Sequence, residues 1–265
     1  MPHPVHHSIS FLRPTLLGAQ QSSGRNFISS HPIIGSSIVS VTVMVIFSLS
    51  VAAKAKDYPR ENKILAVAQE MASAFQRVED YACDVEVTYH QGGGSEKKTN
   101  GRYRFKFYFK REKKIRVDFS EPYPGAIVLY SKGNEKAIVI PFNYWPGLKV
   151  NISHNHAMLK TPTGQRLEQT DMGYFIDFVL QSLQKVDQAD HQLEEGEEQI
   201  TFWLRALDYV HWKRVEKYRI VISKKYWLPV QIERYELDGT PVESIQIRNY
   251  SINTHLDDHL FQPWE

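Results

Sequence analysis

A strict alternation of aromatic and mostly basic residues over 102–109 constrains the fold more than any other feature of this sequence. Aromatic side chains occupy every second position from Tyr103 to Phe109. Successive side chains of a β-strand point to opposite faces of its sheet, so the segment predicts a strand with one apolar and one solvated face. The alternation resumes over 115–119 after a charged turn at 111–114. The segments 102–109 and 115–119 together predict an antiparallel hairpin with one aromatic face.

Further runs predict more strands of the same sheet. Alternation begins at Val85, and Asp238-Gly239 is typical of a tight hairpin turn, because both residues tolerate the positive φ that such turns require. Consecutive hairpins indicate one large antiparallel sheet. The remaining predicted strands are Ala126–Tyr130, Ala137–Phe142, Ile200–Leu204, Tyr218–Ser223, Val230–Glu236 and Val242–Tyr250.

Two segments have the spacing of amphipathic helices. Apolar residues recur at helical intervals from Ile64 to Val78, after Pro59, and from Met172 to Leu183, after the capping residue Asp171. The sheet has an apolar face that must be covered, and these helices can cover it. We therefore predict an α+β fold, in which a curved antiparallel sheet or half-open β-barrel has helices across its open side.

Residues 1–55 have the composition of an export signal. They contain no acidic residue, and the stretch 33–53 is uncharged, rich in Ile, Val and Phe, and followed by the small-residue pattern Ala53-Lys54-Ala55. A basic, an apolar and a small-residue region in this order indicate a secretory signal. An uncleaved membrane anchor is one alternative, because about 20 apolar residues can span a bilayer. A transit peptide is another, since such leaders also lack acidic residues and contain Ser and Arg. We expect residues 56–265 to form a single domain in the periplasm, or one anchored to the inner membrane.

The exported part is nearly neutral. Residues 1–55 hold three of the 32 Lys and Arg residues and none of the 30 Asp and Glu residues, which leaves 29 basic against 30 acidic groups. This balance argues against nucleic acid as a partner. The single cysteine, Cys83, is expected to be buried in a strand. We identify no metal, cofactor or catalytic motif, since the histidine pairs at 154–156 and 255–259 lack further ligands.

Three segments of the exported part resemble the LolA-like family of outer-membrane lipoprotein carriers. The similarity covers nearly the whole exported part in the order of its elements. It implies a half-barrel closed by helices, a hydrophobic cavity that receives acyl chains, and no enzymatic activity. The resemblance lies in Lys114–Phe119 with Pro122, Gly125 and Tyr130, in Trp227–Gln231 with Tyr235–Gly239 and Val242–Ile247, and in Ile252-Asn253 with Leu256, Asp257, Leu260 and Phe261.

The expected ligand is an acyl chain of a lipoprotein or lipid, bound by a monomer that exchanges it with donor and acceptor proteins of the inner and outer membranes. We hypothesise that Arg102 and Arg104 hold a lid helix through its carbonyl groups. Ordinary core packing is the competing explanation for all of the cavity candidates. These are Tyr103, Phe105, Phe107, Phe109, Val117, Phe119, Val128 and Tyr130 on the strands, and Phe175, Phe178, Val179 and Leu183 on the lid.

Two other functions remain open from the sequence. A sensory or scaffold module of the same fold would bind a partner protein and transfer nothing. A hydrolase would assemble its catalytic residues from distant parts of the chain, without a local motif.

Overall fold

The structure, a computed structural model, describes most of residues 56–265. These residues lie within one compact unit, Ala55–Glu265, and the predicted export signal lies outside them. No helix in the described ranges is both long and apolar enough to cross a bilayer. The described residues are 60–90, 101–142, 145, 147–153, 155–187, 192–208 and 213–263.

One antiparallel sheet of eleven strands dominates the fold. Its strand order is β6-β5-β4-β3-β2-β1-β11-β10-β9-β8-β7, so β1 and β11 join two meanders and the sheet stays open between β6 and β7. The strands are β1 Asp80–Tyr89, β2 Gly101–Lys110, β3 Lys114–Glu121, β4 Ile127–Ser131, β5 Lys136–Ile140, β6 Val150–Ser153, β7 Gln192–Glu195, β8 Gln199–Leu207, β9 Val215–Ser223, β10 Leu228–Tyr235 and β11 Pro241–Ile252.

Two helices pack against each other and against this sheet. Helix α1 spans Arg60–Gln76, and helix α2 spans Met172–Lys185. The Asp171 side chain caps α2 as predicted, because it accepts a hydrogen bond from the Tyr174 amide at 3.1 Å. The predicted α+β class, with one open antiparallel sheet and two helices, is confirmed.

The apolar core has two main clusters on the helix-facing side of the sheet. In the first, Ile64, Ala68 and Met71 of α1 and residues of α2 pack on β8, β9 and β10. In the second, the aromatic strands β1–β3 and the neighbouring β4 and β5 pack against Leu167 and Met172. Phe75 and Tyr250 contact both clusters. The sheet therefore has a half covered by helices and a half with a different cover.

Some elements differ from the predictions. Helix α1 ends at Gln76, although its apolar spacing continues to Val78, and strand β1 begins at Asp80, before the alternation at Val85. Strands β6 and β7 lie at the sheet edges and have only four residues each, too short for an alternation to be recognised. The turn at Asp238-Gly239 is confirmed, with Gly239 at φ +92°.

The close packing of α1 against α2 leaves no room for a side chain at Gly173. A Cβ atom at this position would lie 2.7 Å from Cε1 of the Phe75 ring and 2.9 Å from the capping oxygen of Asp171. Alanine normally stabilises a helix relative to glycine by about 1 kcal/mol. We expect Gly173→Ala instead to lower the free energy of unfolding, by about 1–3 kcal/mol, because the crowding separates α1 from α2.

Urea denaturation measures this change, with Gly147→Ala as the matched control. A Cβ atom at Gly147 would meet no atom within 4 Å. A Gly173→Ala protein as stable as the control would contradict the close helix contact.

Candidate functional site

The helix-facing side of β1–β5 forms a continuous apolar surface, which we call the aromatic face. Rings from neighbouring strands stack across it, with Tyr81 5.1 Å from Phe109 and 5.9 Å from Phe107 between ring centroids. The strand registers place Phe107 opposite Cys83 and Val117, so the alternation seen in the sequence does align across strands. The face consists of Tyr81, Cys83, Val85, Tyr103, Phe105, Phe107, Phe109, Ile115, Val117, Phe119, Val128, Tyr130, Ala137 and Val139.

Burial of this face decreases from one end of the sheet to the other along β2 and β3, whereas on β1 Val87 and Tyr89, on the same face, are only 6% exposed. We call the end with the β2–β3 turn, residues 111–113, the lower end, and the end with the loops 122–126 and 141–149 the upper end. Phe107 and Phe109, toward the lower end, are only 4% and 5% exposed. Phe105 and Phe119, toward the upper end, are half-buried and lie 5.6 Å apart between ring centroids. The aromatic face is thus sealed below, and its β2 and β3 part is partly open above.

The lower end is covered by a segment that the sequence did not identify. Residues 155–170, called the strap below, run from β6 to α2 and contain two short 3-10 helices, Ala157–Leu159 and Leu167–Gln169. Leu159 and Leu167 of the strap pack against the aromatic face, as do Phe75, Val78 and Met172. Only the apolar spacing of Leu159 and Leu167 could have indicated this role, and it has no helical period.

The predicted lid residues of α2 lie elsewhere. Phe178 and Val179 are fully buried in the cluster on β8–β10, and Phe175 and Leu183 pack against the same cluster. The structure therefore brings together the eight strand candidates but assigns the four helix candidates to the other half of the sheet. Of the strand candidates, Phe107, Phe109, Val117, Val128 and Tyr130 are buried, whereas Tyr103, Phe105 and Phe119 are half-buried.

Arg102 and Arg104 point to the opposite face of β2, away from Phe105. Arg102 pairs with Glu86 at 2.6 Å, and Arg104 pairs with Glu86 at 3.3 Å and with Glu121 at 3.1 Å. These partners are carboxylates of neighbouring strands rather than helix carbonyls. Exposed pairs of this kind contribute little to stability.

Arg111 and Lys113, on the β2–β3 turn, do contact the ends of the helices. Arg111 donates hydrogen bonds to the carbonyl oxygens of Phe75, at 3.1 Å, and Gln76, at the C-terminal end of α1. Lys113 donates to the Glu168 carbonyl oxygen at 3.0 Å, and its ammonium group lies 3.1 Å from the buried Asp171 carboxylate. The turn thus ties the end of α1, the strap and the start of α2 to one point.

Burial keeps the Cys83 thiol protonated. Desolvation, with a smaller contribution from Asp84, raises the pKa of this thiol well above its ordinary value. The prediction that Cys83 is buried in a strand is confirmed. A protonated, buried thiol is a poor nucleophile, because the thiolate is the reactive form.

A charged cluster marks the upper end of the other half of the sheet. Glu216, which is fully buried, lies 3.1 Å from Arg214 and 3.5 Å from Arg234, and Arg234 lies 3.7 Å from Glu243. Burial raises the pKa of the Glu216 carboxyl, and Arg234 and Arg214 offset only part of this effect. Charged groups interrupt the apolar surface here, so the open apolar part is confined to β1–β5.

Similarity to known proteins is found among solved structures. No family model and no curated protein matches the chain. Solved structures similar to it include a putative outer membrane lipoprotein-sorting protein domain from Vibrio parahaemolyticus, with 13% identity over 76% of this chain and 97% of that one and a TM-score of 0.39. A LolA superfamily protein from Nitrosomonas europaea is similar at 12% identity, 74% and 97% coverage and a TM-score of 0.33. The Mycobacterium tuberculosis lipoprotein LppX is similar at 11% identity, 74% and 98% coverage and a TM-score of 0.42.

The tie between Lys113 and Asp171 is testable by a double-mutant cycle. We expect Lys113→Met to lower the free energy of unfolding by about 1–3 kcal/mol, because it leaves the buried Asp171 carboxylate without its cation. In the Asp171→Asn background Lys113→Met should be clearly less destabilising, since the amide keeps the cap and carries no charge, and only the hydrogen bond to the Glu168 carbonyl is then lost. Urea denaturation of the four proteins gives the coupling energy.

Lys132→Met is the control for this cycle, because Lys132 is exposed on the β4–β5 turn. It should leave stability unchanged in either background. Additive effects of Lys113→Met and Asp171→Asn would contradict a tie between the turn and α2.

Proposed function

We propose that this protein is an exported carrier that shields an acyl chain of a lipid-modified protein, or of a lipid, against the upper part of its aromatic face. The observation that carries the proposal is the burial gradient along β2 and β3, from Phe107 at 4% exposure to the half-buried Phe105 and Phe119. A face built only for packing gains nothing from leaving aromatic rings half in water. A face built to receive a guest keeps part of its apolar surface accessible.

The energetics suit reversible binding. Each methylene group removed from water contributes about 0.8 kcal/mol, so a chain of about ten buried methylenes supplies about 8 kcal/mol. Ordering the chain and the protein consumes part of this energy. The remainder supports binding that a competing acceptor can reverse, as a carrier requires.

The strap provides room for a longer chain. Leu159 is only partly buried against the aromatic face, and the strap has no regular structure apart from two three-residue 3-10 helices. Few apolar contacts favour local opening at low energetic cost. Outward movement of Leu159 would extend the apolar surface from Phe119 toward Val128, while Lys113 keeps the far end of the strap in place.

A non-catalytic role in the periplasm fits the rest of the chain. The composition of residues 1–55 supports export, and the buried Cys83 thiol is protonated. The partners that fit an apolar, uncharged face are acyl chains, together with the membrane proteins that deliver and accept them. A sensor of the same fold would bind a partner protein instead, and the experiment below separates the two.

Substitution on opposite faces of β2 tests the proposal. We expect Phe105→Asn to weaken binding of a fluorescent long-chain fatty acid by about tenfold or more, because it replaces an apolar wall with a polar group. Tyr108→Asn is the matched control. Tyr108 is also an aromatic residue of β2 and also half-buried, but its side chain lies on the face of the strand opposite to Phe105. This substitution should leave the affinity unchanged. Fluorescence titration of the purified full chain measures both dissociation constants.

Equal affinities for the two variants would contradict a binding surface on the aromatic face. An absence of fatty-acid binding by the unsubstituted protein would reject the carrier and leave the partner-binding module.

A further inference from the structure

Large exposed apolar side chains gather at the upper end of the sheet. Among the described residues seven such side chains are exposed, and the strand registers place six of them in loops or strand ends at this upper end. Met158 is the exception, because it follows the opposite end of β6. The six are Tyr123, Phe142, Trp145, Leu148, Val150 and Leu237.

Five of these side chains lie on adjacent strand connections and form what we call the apolar rim: Tyr123, Phe142, Trp145, Leu148 and Val150. The pairing of Ile127 with Ile140 places the loop before β4 beside the loop after β5. Strands β3 and β6 are separated by three interstrand spacings, about 14 Å. The rim is therefore narrow enough to act as one surface.

Two backbone hydrogen bonds link Phe142, Trp145 and Leu148 in the longer loop of the rim. The Trp145 amide donates to the Phe142 carbonyl oxygen at 3.1 Å, and the Leu148 amide donates to the Trp145 carbonyl oxygen at 3.0 Å. Trp145 is nevertheless 64% exposed and Tyr123 59% exposed. Both loops thus present large apolar side chains to the solvent.

The composition of these loops is unusual for loops in water. Segments 122–126 and 141–149 contain fourteen residues, and Lys149 is their single charged residue. Surface loops are ordinarily polar, and a contiguous exposed apolar patch marks an interaction site. Trp and Tyr are favoured where an apolar phase meets water, and a basic residue beside them suits phospholipid headgroups.

The rim is continuous with the aromatic face. The ring of Tyr123 lies 6.2 Å from that of Phe119, which in turn lies 5.6 Å from Phe105, between centroids. Val150 pairs with Val139 of the aromatic face across β5 and β6. An acyl chain could therefore pass from the rim to Phe105 along apolar side chains.

We propose that the apolar rim docks on a lipid bilayer, with Trp145 and Leu148 entering its interface, so that an acyl chain moves between the bilayer and the aromatic face without crossing water. The direction of transfer rests on the proposed carrier function, but docking itself does not. A bilayer fits better than a protein partner, because the rim combines Trp and Tyr side chains with a single charged residue, Lys149, in its two loops.

Quenching of tryptophan fluorescence by brominated lipids tests the docking. The full chain contains five tryptophans, and none lies in residues 1–55, so an apolar leader that holds the protein on a vesicle produces no signal itself. With vesicles of phosphatidylcholine brominated near the headgroup end of its acyl chains, we expect quenching of the wild-type emission. Trp145→Phe should remove most of the quenching, because Trp145 is the reporter in the interface.

Three further variants keep Trp145 and report on docking. Tyr123→Ser and Leu148→Ser should each weaken the vesicle-dependent quenching, and together they should lower the partition coefficient by about tenfold or more. Met158→Ser is the matched control, because Met158 is 69% exposed but lies at the other end of β6. It should leave quenching unchanged.

Quenching that is absent in the wild type, that persists undiminished in Trp145→Phe, or that Met158→Ser reduces as much as Leu148→Ser would overturn bilayer docking. Fatty-acid titration of the same proteins separates this inference from the carrier proposal. Normal fatty-acid binding without quenching refutes docking alone, and quenching without fatty-acid binding refutes the carrier alone.

Discussion

The structure depends on one constraint: the apolar side of the sheet is too wide for the two helices to cover. Eleven strands at about 4.8 Å spacing span about 48 Å along the flat sheet, whereas each helix is only about 10 Å in diameter. Helix α1, with 17 residues, is about 25 Å long, and α2, with 14, is about 21 Å long. Both helices settle on β8–β10. The aromatic face of β1–β5 is left to the strap, which covers its lower end.

The apolar side of the sheet is covered differently in its two halves. The half under the helices is sealed by large side chains such as Phe178 and Phe202 and is bounded above by the buried charges of Glu216 and Arg234. Among the residues that the structure describes, the aromatic face has no buried charge toward its upper end, and Phe105 and Phe119 are half-buried there. The second half retains the accessible apolar surface on which the proposed function depends.

The sequence predicts the strands of this fold better than its cover. Alternation determines which side chains share a face, so the strand candidates from Tyr103 to Tyr130 are correctly grouped. It does not determine which face a helix will pack on, and Phe178 lies in the other cluster. Arg111 and Lys113 were overlooked because their contacts, with the end of α1 and with Asp171, bridge elements that are distant in the sequence. The half-buried state of Phe105 depends on what the strap leaves uncovered, which no local pattern contains.

Native mass spectrometry of the full-length gene product, isolated from its own cell envelope in mild detergent, tests the central claim most directly. If the upper aromatic face holds an acyl chain, part of the protein should carry an added mass that dissociates on collisional activation and is identified as an acylated lipid or protein. Protein that is uniformly free of any lipid-modified species, across preparations and at low activation energy, would contradict the account.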